Sequence, residues 1–112
     1  MSNEDEIGKV FHALGDPTRR RLVERLSQGP ASVSALAALA GVTLTAVGQH
    51  LEVLEAAGLA RTQKLGRVRS CRLDGAGFNT LESWSRAHRP EWEQKLDRLE
   101  VLLRAPDAEW LG

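Results

Sequence analysis

The sequence predicts a mainly helical domain carrying one β-hairpin, in the order α-α-α-α-β-β-α. Three observations predict it. Apolar residues recur at three- and four-residue steps between Ile7 and Leu54. Near Gly41 that pattern breaks, and two short helical segments meet across a turn of about three or four residues. After Gly58 the period changes, and two short polar segments flank a glycine-containing turn. A chain of 112 residues, 42% hydrophobic and 27% charged, fits one domain over 1–112 with a single modest core.

The first helix is expected over Glu4–Leu14, where Ile7, Val10, Phe11 and Leu14 share one face. Glu4, Asp5 and Glu6 fall in its first turn and complement the helix dipole. Asp16-Pro17 then reads as an N-cap followed by proline at the first helical position. The second helix runs to about Gln28, burying Leu22, Val23 and Leu26, and Gly29-Pro30 ends it. Arg19, Arg20, Arg21 and Arg25 make a basic face, for which plain solvent exposure is the alternative to a binding role.

Ser32 or Ser34 caps the third helix, whose apolar face is Leu36, Leu39 and Ala40. Gly41 can take the left-handed conformation that stops it cheaply. Thr43 offers a hydroxyl to a fourth helix that buries Val47, Leu51 and Leu54 and runs to Gly58. Ala37 lacks bulk where the two helices must pack closely. Thr43, Leu44, Thr45, Gly48, Gln49 and His50 are left pointing outward, at the end of a helix that meets base edges when a helix-turn-helix docks on DNA. An ordinary helical hairpin fits this stretch equally well.

The ribbon that follows favours the helix-turn-helix. Leu59–Lys64 and Val68–Leu73 flank Leu65-Gly66-Arg67, and Leu59 and Leu73 anchor its base. Arg61, Lys64, Arg67, Arg69 and Arg72 fall within it with no acid between Arg61 and Leu73. A basic ribbon directly after a helix pair is the wing of a winged helix. Its tip can place Arg67 in a minor groove while Lys64 and Arg69 meet phosphates. Charged ribbons also resist edge pairing, which is the other reason for such a composition.

Asp74-Gly75-Ala76-Gly77 is expected to separate the wing from a last helical region holding Phe78, Leu81, Trp84 and His88. Pro90 either kinks that helix or begins a new one. Trp92, Leu96, Leu99 and Leu103 then alternate four- and three-residue steps, as a seam between helices does. The seam needs a partner, either the first helix of its own chain or a second copy. A homodimer through Ile7, Val10, Phe11, Trp84, Trp92, Leu96, Leu99 and Leu103 is expected. Arg104-Ala105-Pro106 ends the helix and Asp107–Gly112 forms a frayed tail.

No apolar run approaches the ~20 residues that span a bilayer, and the acidic N-terminus has no secretory character. One cysteine, Cys71, permits no intrachain disulfide, which suits a reducing cytosol, and a cytoplasmic location is expected. Zero formal net charge argues weakly against nucleic acid, but the basic ribbon shows that distribution outweighs the sum. An enzyme is not expected, since there is no nucleophile beside a base, no phosphate-binding glycine loop and no paired carboxylates.

With those residues assembled, the chain resembles the ArsR/SmtB family of winged-helix repressors from about Val10 to Leu103. The carriers are Phe11-His12-Ala13-Leu14-Gly15-Asp16-Pro17-Thr18-Arg19-Arg20-Arg21-Leu22 and Val47-Gly48-Gln49-His50-Leu51-Glu52-Val53-Leu54-Glu55-Ala56-Ala57-Gly58-Leu59. The resemblance implies a homodimer joined through its first and last helices that blocks transcription by covering a promoter. Its operator is then double-stranded DNA, an imperfect palindrome, and the effector is unspecified. Trp84–Leu103 looks like a non-metal branch, whose genes often lie beside those for a START-like hydrophobic-ligand domain. Where metal-sensing members place paired cysteines, this chain has Ser32 and Ser34, poor soft-metal ligands. His12, His50 and His88 fall in different elements, so no metal and no cofactor are expected. Gln49 stands where many relatives carry Lys or Arg, and Gly48 where many carry Ser. The competing function is a winged helix that binds protein, which would need neither the basic wing nor the outward Thr, Gln and His.

Overall fold

The computed structural model describes residues 3–104. Its elements are α1 (Asn3–Leu14), α2 (Pro17–Leu26), β1 (Ala31–Ser32), α3 (Val33–Ala40), α4 (Leu44–Ala56), β2 (Ala60–Leu65), β3 (Val68–Leu73) and α5 (Gly75–Arg104). The chain divides into two compact units, the first ending at Glu82 and the second beginning at Ser83.

In the first unit each helix supplies one apolar stripe to a common core: Val10 and Ala13, Leu22 and Leu26, Leu36, then Val47, Leu51 and Leu54. Leu59 and Cys71 close it from the ribbon side. Ile7 and Val10, expected at a dimer interface, are buried in their own protomer, so on α1 only Phe11 of that set is exposed. The sheet is antiparallel with order β1-β3-β2. Ala31 pairs with Cys71 and Ser32 with Ser70, adding a short third strand to the expected two-stranded ribbon. Two residues are too few for a period-2 signal, and Ser32 doubles as the N-cap of α3.

The ribbon turn is Gly66-Arg67, with Leu65 paired to Val68. Gly66 has φ 65° and Arg67 is not left-handed, the pattern of a two-residue turn with glycine first. The expected connection at Gly75–Gly77 is instead the first turn of α5, because the Asp74 carboxylate accepts the Ala76 amide at 3.1 Å.

The second unit holds residues 83–104 of α5. Pro90 lies inside the helix, which neither breaks nor restarts there. Trp84, His88 and Trp92 share one face, Trp84 stacked on His88 with centroids 4.5 Å apart and tilted against Trp92 at 5.4 Å. The Trp84 carbonyl accepts from His88 Nδ1 at 2.8 Å. Leu96 and Leu99 are 63% and 51% exposed, and Leu103 is also exposed. Arg104 pairs with Glu100 one turn back. The expected helix end at Arg104-Ala105-Pro106 and the tail beyond it lie outside the described residues. Among the described residues no single helix is long and apolar enough to cross a membrane.

Candidate nucleic-acid interface

The helix pair is set by two caps. Gly41, at φ 67°, ends α3 with its amide on the Ala38 carbonyl at 3.2 Å and the Val42 amide on Ala37 at 3.1 Å. That double bond from left-handed glycine is the Schellman arrangement. Thr43 Oγ1 then accepts the Ala46 amide at 3.1 Å and starts α4. The two helices cross at 105°, within the range of a helix-turn-helix. Of the two serines that could cap α3, Ser32 does so, accepting the Ala35 amide at 3.1 Å.

This geometry leaves Thr43, Leu44, Thr45 and Gln49 exposed, with Gly48 half-buried on the same face. His50 differs from the rest. Its Nδ1 lies 3.3 Å from Arg19 Nη1. His50 is half-buried, and this contact ties its ring to α2 rather than leaving it turned outward with the others.

The basic face of α2 is partly solvated, with Arg20 and Arg21 exposed, and its arginines also tie neighbouring segments together. Arg19 donates from Nε to the Ala13 carbonyl at 2.7 Å and from Nη2 to His12 at 3.0 Å. Arg20 reaches the Leu14 carbonyl at 2.7 Å, Arg21 reaches Leu39 at 3.0 Å, and Arg25 reaches Gly29 at 3.1 Å. Cations thus meet the carbonyl-rich ends of α1 and α3, where the dipole favours them, and the loop that follows α2. Asp16 starts the series by capping α2 at the Arg19 amide, 3.0 Å away. That hydrogen bond and the Arg19 charge hold its carboxyl below the ordinary range.

The wing is docked from both sides. The Glu55 carboxylate of α4 accepts the Thr62 amide at 2.7 Å. Arg61 meets Asp74 at 3.4 Å. Inward, Cys71 is fully buried, and burial pushes its thiol pKa up, which makes it an inert packing group. Further out, Lys64 pairs directly with Arg69 across the ribbon and Arg67 sits at the turn. All three are exposed. Like charges directly opposite destabilise a ribbon unless an anion lies between them.

The caps and the cations are legible in the sequence; the Arg19–His50 contact, the Glu55 tie and the close approach of the start of α5 to the end of α4 are not. There the Gly77 amide meets the Gly58 carbonyl at 2.7 Å. Only the Asp-Pro-Thr-Arg run carried a local signal for any of these.

An exposed, capped helix after a tight turn, followed by a cationic ribbon, defines a winged helix-turn-helix. The helix-turn-helix domain family HTH_20 matches residues 14–63. The chain is 39% identical over 92 residues to the HTH-type transcriptional regulator Rv2034 of Mycobacterium tuberculosis, covering 78% of this chain and 86% of that protein. The crystal structure of the ArsR family transcriptional regulator RHA00566 superposes with a TM-score of 0.74 at 40% identity, over 80% of this chain and 93% of that one. The homodimeric winged helix-turn-helix domain of Mb0332 from Mycobacterium bovis, solved by NMR, gives 0.61 at 26% identity, over 80% and 82%. This chain belongs to the ArsR-type winged helix-turn-helix transcriptional regulators.

Proposed function

We propose that this regulator is a homodimeric repressor that binds an imperfectly palindromic operator and does not respond to metals. The observation that carries the DNA reading is the Lys64–Arg69 pair with Arg67 at the tip. Three exposed cations have no hydrogen bond or ion pair among the described residues, and they follow a helix whose start exposes Thr43, Leu44 and Thr45. In this reading α4 lies in a major groove with Thr43, Thr45, Gln49 and His50 toward base edges. Arg67 enters a flanking minor groove, while Lys64 and Arg69 hold phosphates. Half-sites lie about 10 bp apart or a small multiple of that.

The exposed α5 leucines and Trp92, with Phe11 of α1, support pairing with a second copy, as in the homodimeric Mb0332 domain. Ser32, at the position of a metal-sensing thiolate, already spends its oxygen on the Ala35 amide. A cytoplasmic regulator without catalytic activity accords with this surface.

Competition binding with operator variants at several salt concentrations tests the reading. Gln49→Ala should cost about 1–3 kcal/mol at the base pair it reads and relax preference there. Lys64→Ala should lower the salt slope by about 1 per lost phosphate contact. If Gln49→Ala and Arg67→Ala both left DNA affinity untouched, this face would not read DNA. Light scattering should give a dimer that Leu99→Asp dissociates, and zinc should leave operator affinity unchanged.

A further inference from the structure

Gly48 sits in the interior of α4 with an ordinary helical φ and nothing within 4 Å of where a Cβ would stand. Alanine there would favour the folded state about fourfold. Neither backbone conformation nor packing within the protomer accounts for a glycine. A use outside the chain would account for it, since a bare helix surface lets a partner come close.

One turn earlier on the same stripe stands Leu44, 60% exposed at the first position of α4. Helical side chains lean toward the N-terminus, so the surface just beyond Leu44 is the patch a side chain at 48 would cover. Leu44 and Thr45, both exposed, thus flank a stretch of helix surface at Gly48 that no side chain covers. Glu52 lies exposed one turn further on and repels phosphate. An apolar wall and a carboxylate disfavour a nucleic-acid backbone here and favour an uncharged, apolar group. The apolar group in the major groove is the thymine 5-methyl.

Building on the reading of α4 as the base-reading helix, we infer that Leu44 and Gly48 form a specificity notch for one thymine methyl in each half-site. Gln49 then acts on a neighbouring position as a hydrogen-bonding group, while the notch reads shape alone.

The test uses a 20-bp duplex selected by the protein from a randomised pool, with each thymine replaced in turn by deoxyuridine, which lacks only the methyl. One replacement per half-site should weaken binding by about fourfold, the worth of one buried methyl group. Gly48→Ala should weaken binding to the parent duplex tenfold or more and erase the uracil effect, while its thermal midpoint does not fall. Leu44→Ala should reduce the uracil effect at the same position. Tight binding with every uracil duplex equivalent, or Gly48→Ala binding like the parent protein, overturns the notch while leaving DNA reading intact. Failure to enrich any duplex overturns both.

Discussion

Replacing Gly77 with alanine separates helix propensity from packing, because the two predict opposite signs. Gly77 lies in the first turns of α5 with an ordinary helical backbone, so propensity alone favours alanine by about 1 kcal/mol. A Cβ there would stand 2.4 Å from the Ala57 carbonyl oxygen, 2.8 Å from Leu59 Cδ2 and 2.9 Å from the Gly58 carbonyl carbon. Two of these neighbours are backbone and cannot rotate away. Relief requires α5 to withdraw from the end of α4 by roughly 1 Å, which breaks the 2.7 Å bond from the Gly77 amide to Gly58. Overpacking of this kind costs about 1–3 kcal/mol, and the lost hydrogen bond about 1 more. Packing therefore wins, with a net loss of about 2 kcal/mol and a midpoint lower by roughly 8 °C. Urea unfolding followed by far-ultraviolet circular dichroism, at fixed protein concentration, measures it. Gly48→Ala is the internal control and should gain up to about 1 kcal/mol. If Gly77→Ala were as stable as the parent protein, the start of α5 would not be pinned to α4.

Arg19→Lys should destabilise by about 1–2 kcal/mol in the same assay, since an ammonium cannot span the Ala13 and His12 carbonyls and the His50 ring together. The folded state holds the Asp16 pKa below its unfolded value. The unfolded chain therefore gains protons first as pH falls, and stability is lost on acidification through and below 3.8. Asp16→Asn keeps a capping oxygen without the titration, so its stability profile should be flatter across that window. Cys71, with its raised pKa and full burial, should resist thiol reagents at neutral pH and react at the rate of global or sub-global opening.

Where a residue's role is local, the sequence announces it. Asp16-Pro17, Gly41 and Thr43 sit at the ends their chemistry favours, because a cap needs only neighbours within about four residues. The ribbon was legible from its change of period and its turn glycine. Gly75–Gly77 reads as a loop because composition cannot tell a flexible glycine from one required by close approach. The α2 arginines were ambiguous for a related reason: their acceptors are carbonyls on other helices, and every residue has a carbonyl. Ile7 and Val10 carry the right periodicity, but periodicity shows that a face is buried without saying by what.

The Glu55 tie to the wing has a consequence for solubility. A ribbon on the rim of a small sheet has one outer strand, here β2, whose outward amides and carbonyls could recruit a strand from another molecule. Glu55 already occupies the outward amide of Thr62, blocking the register at the ribbon's base. Toward the tip, Lys64 and Arg69 would bring cations against cations in any ribbon-to-ribbon stack. The opposite rim, β1, is only two residues long and offers little to extend. Gatekeeping against fibrous association and attraction for a polyanion thus fall on the same side chains. Neutralising the wing would give up both, and such variants should precipitate at concentrations the parent protein tolerates.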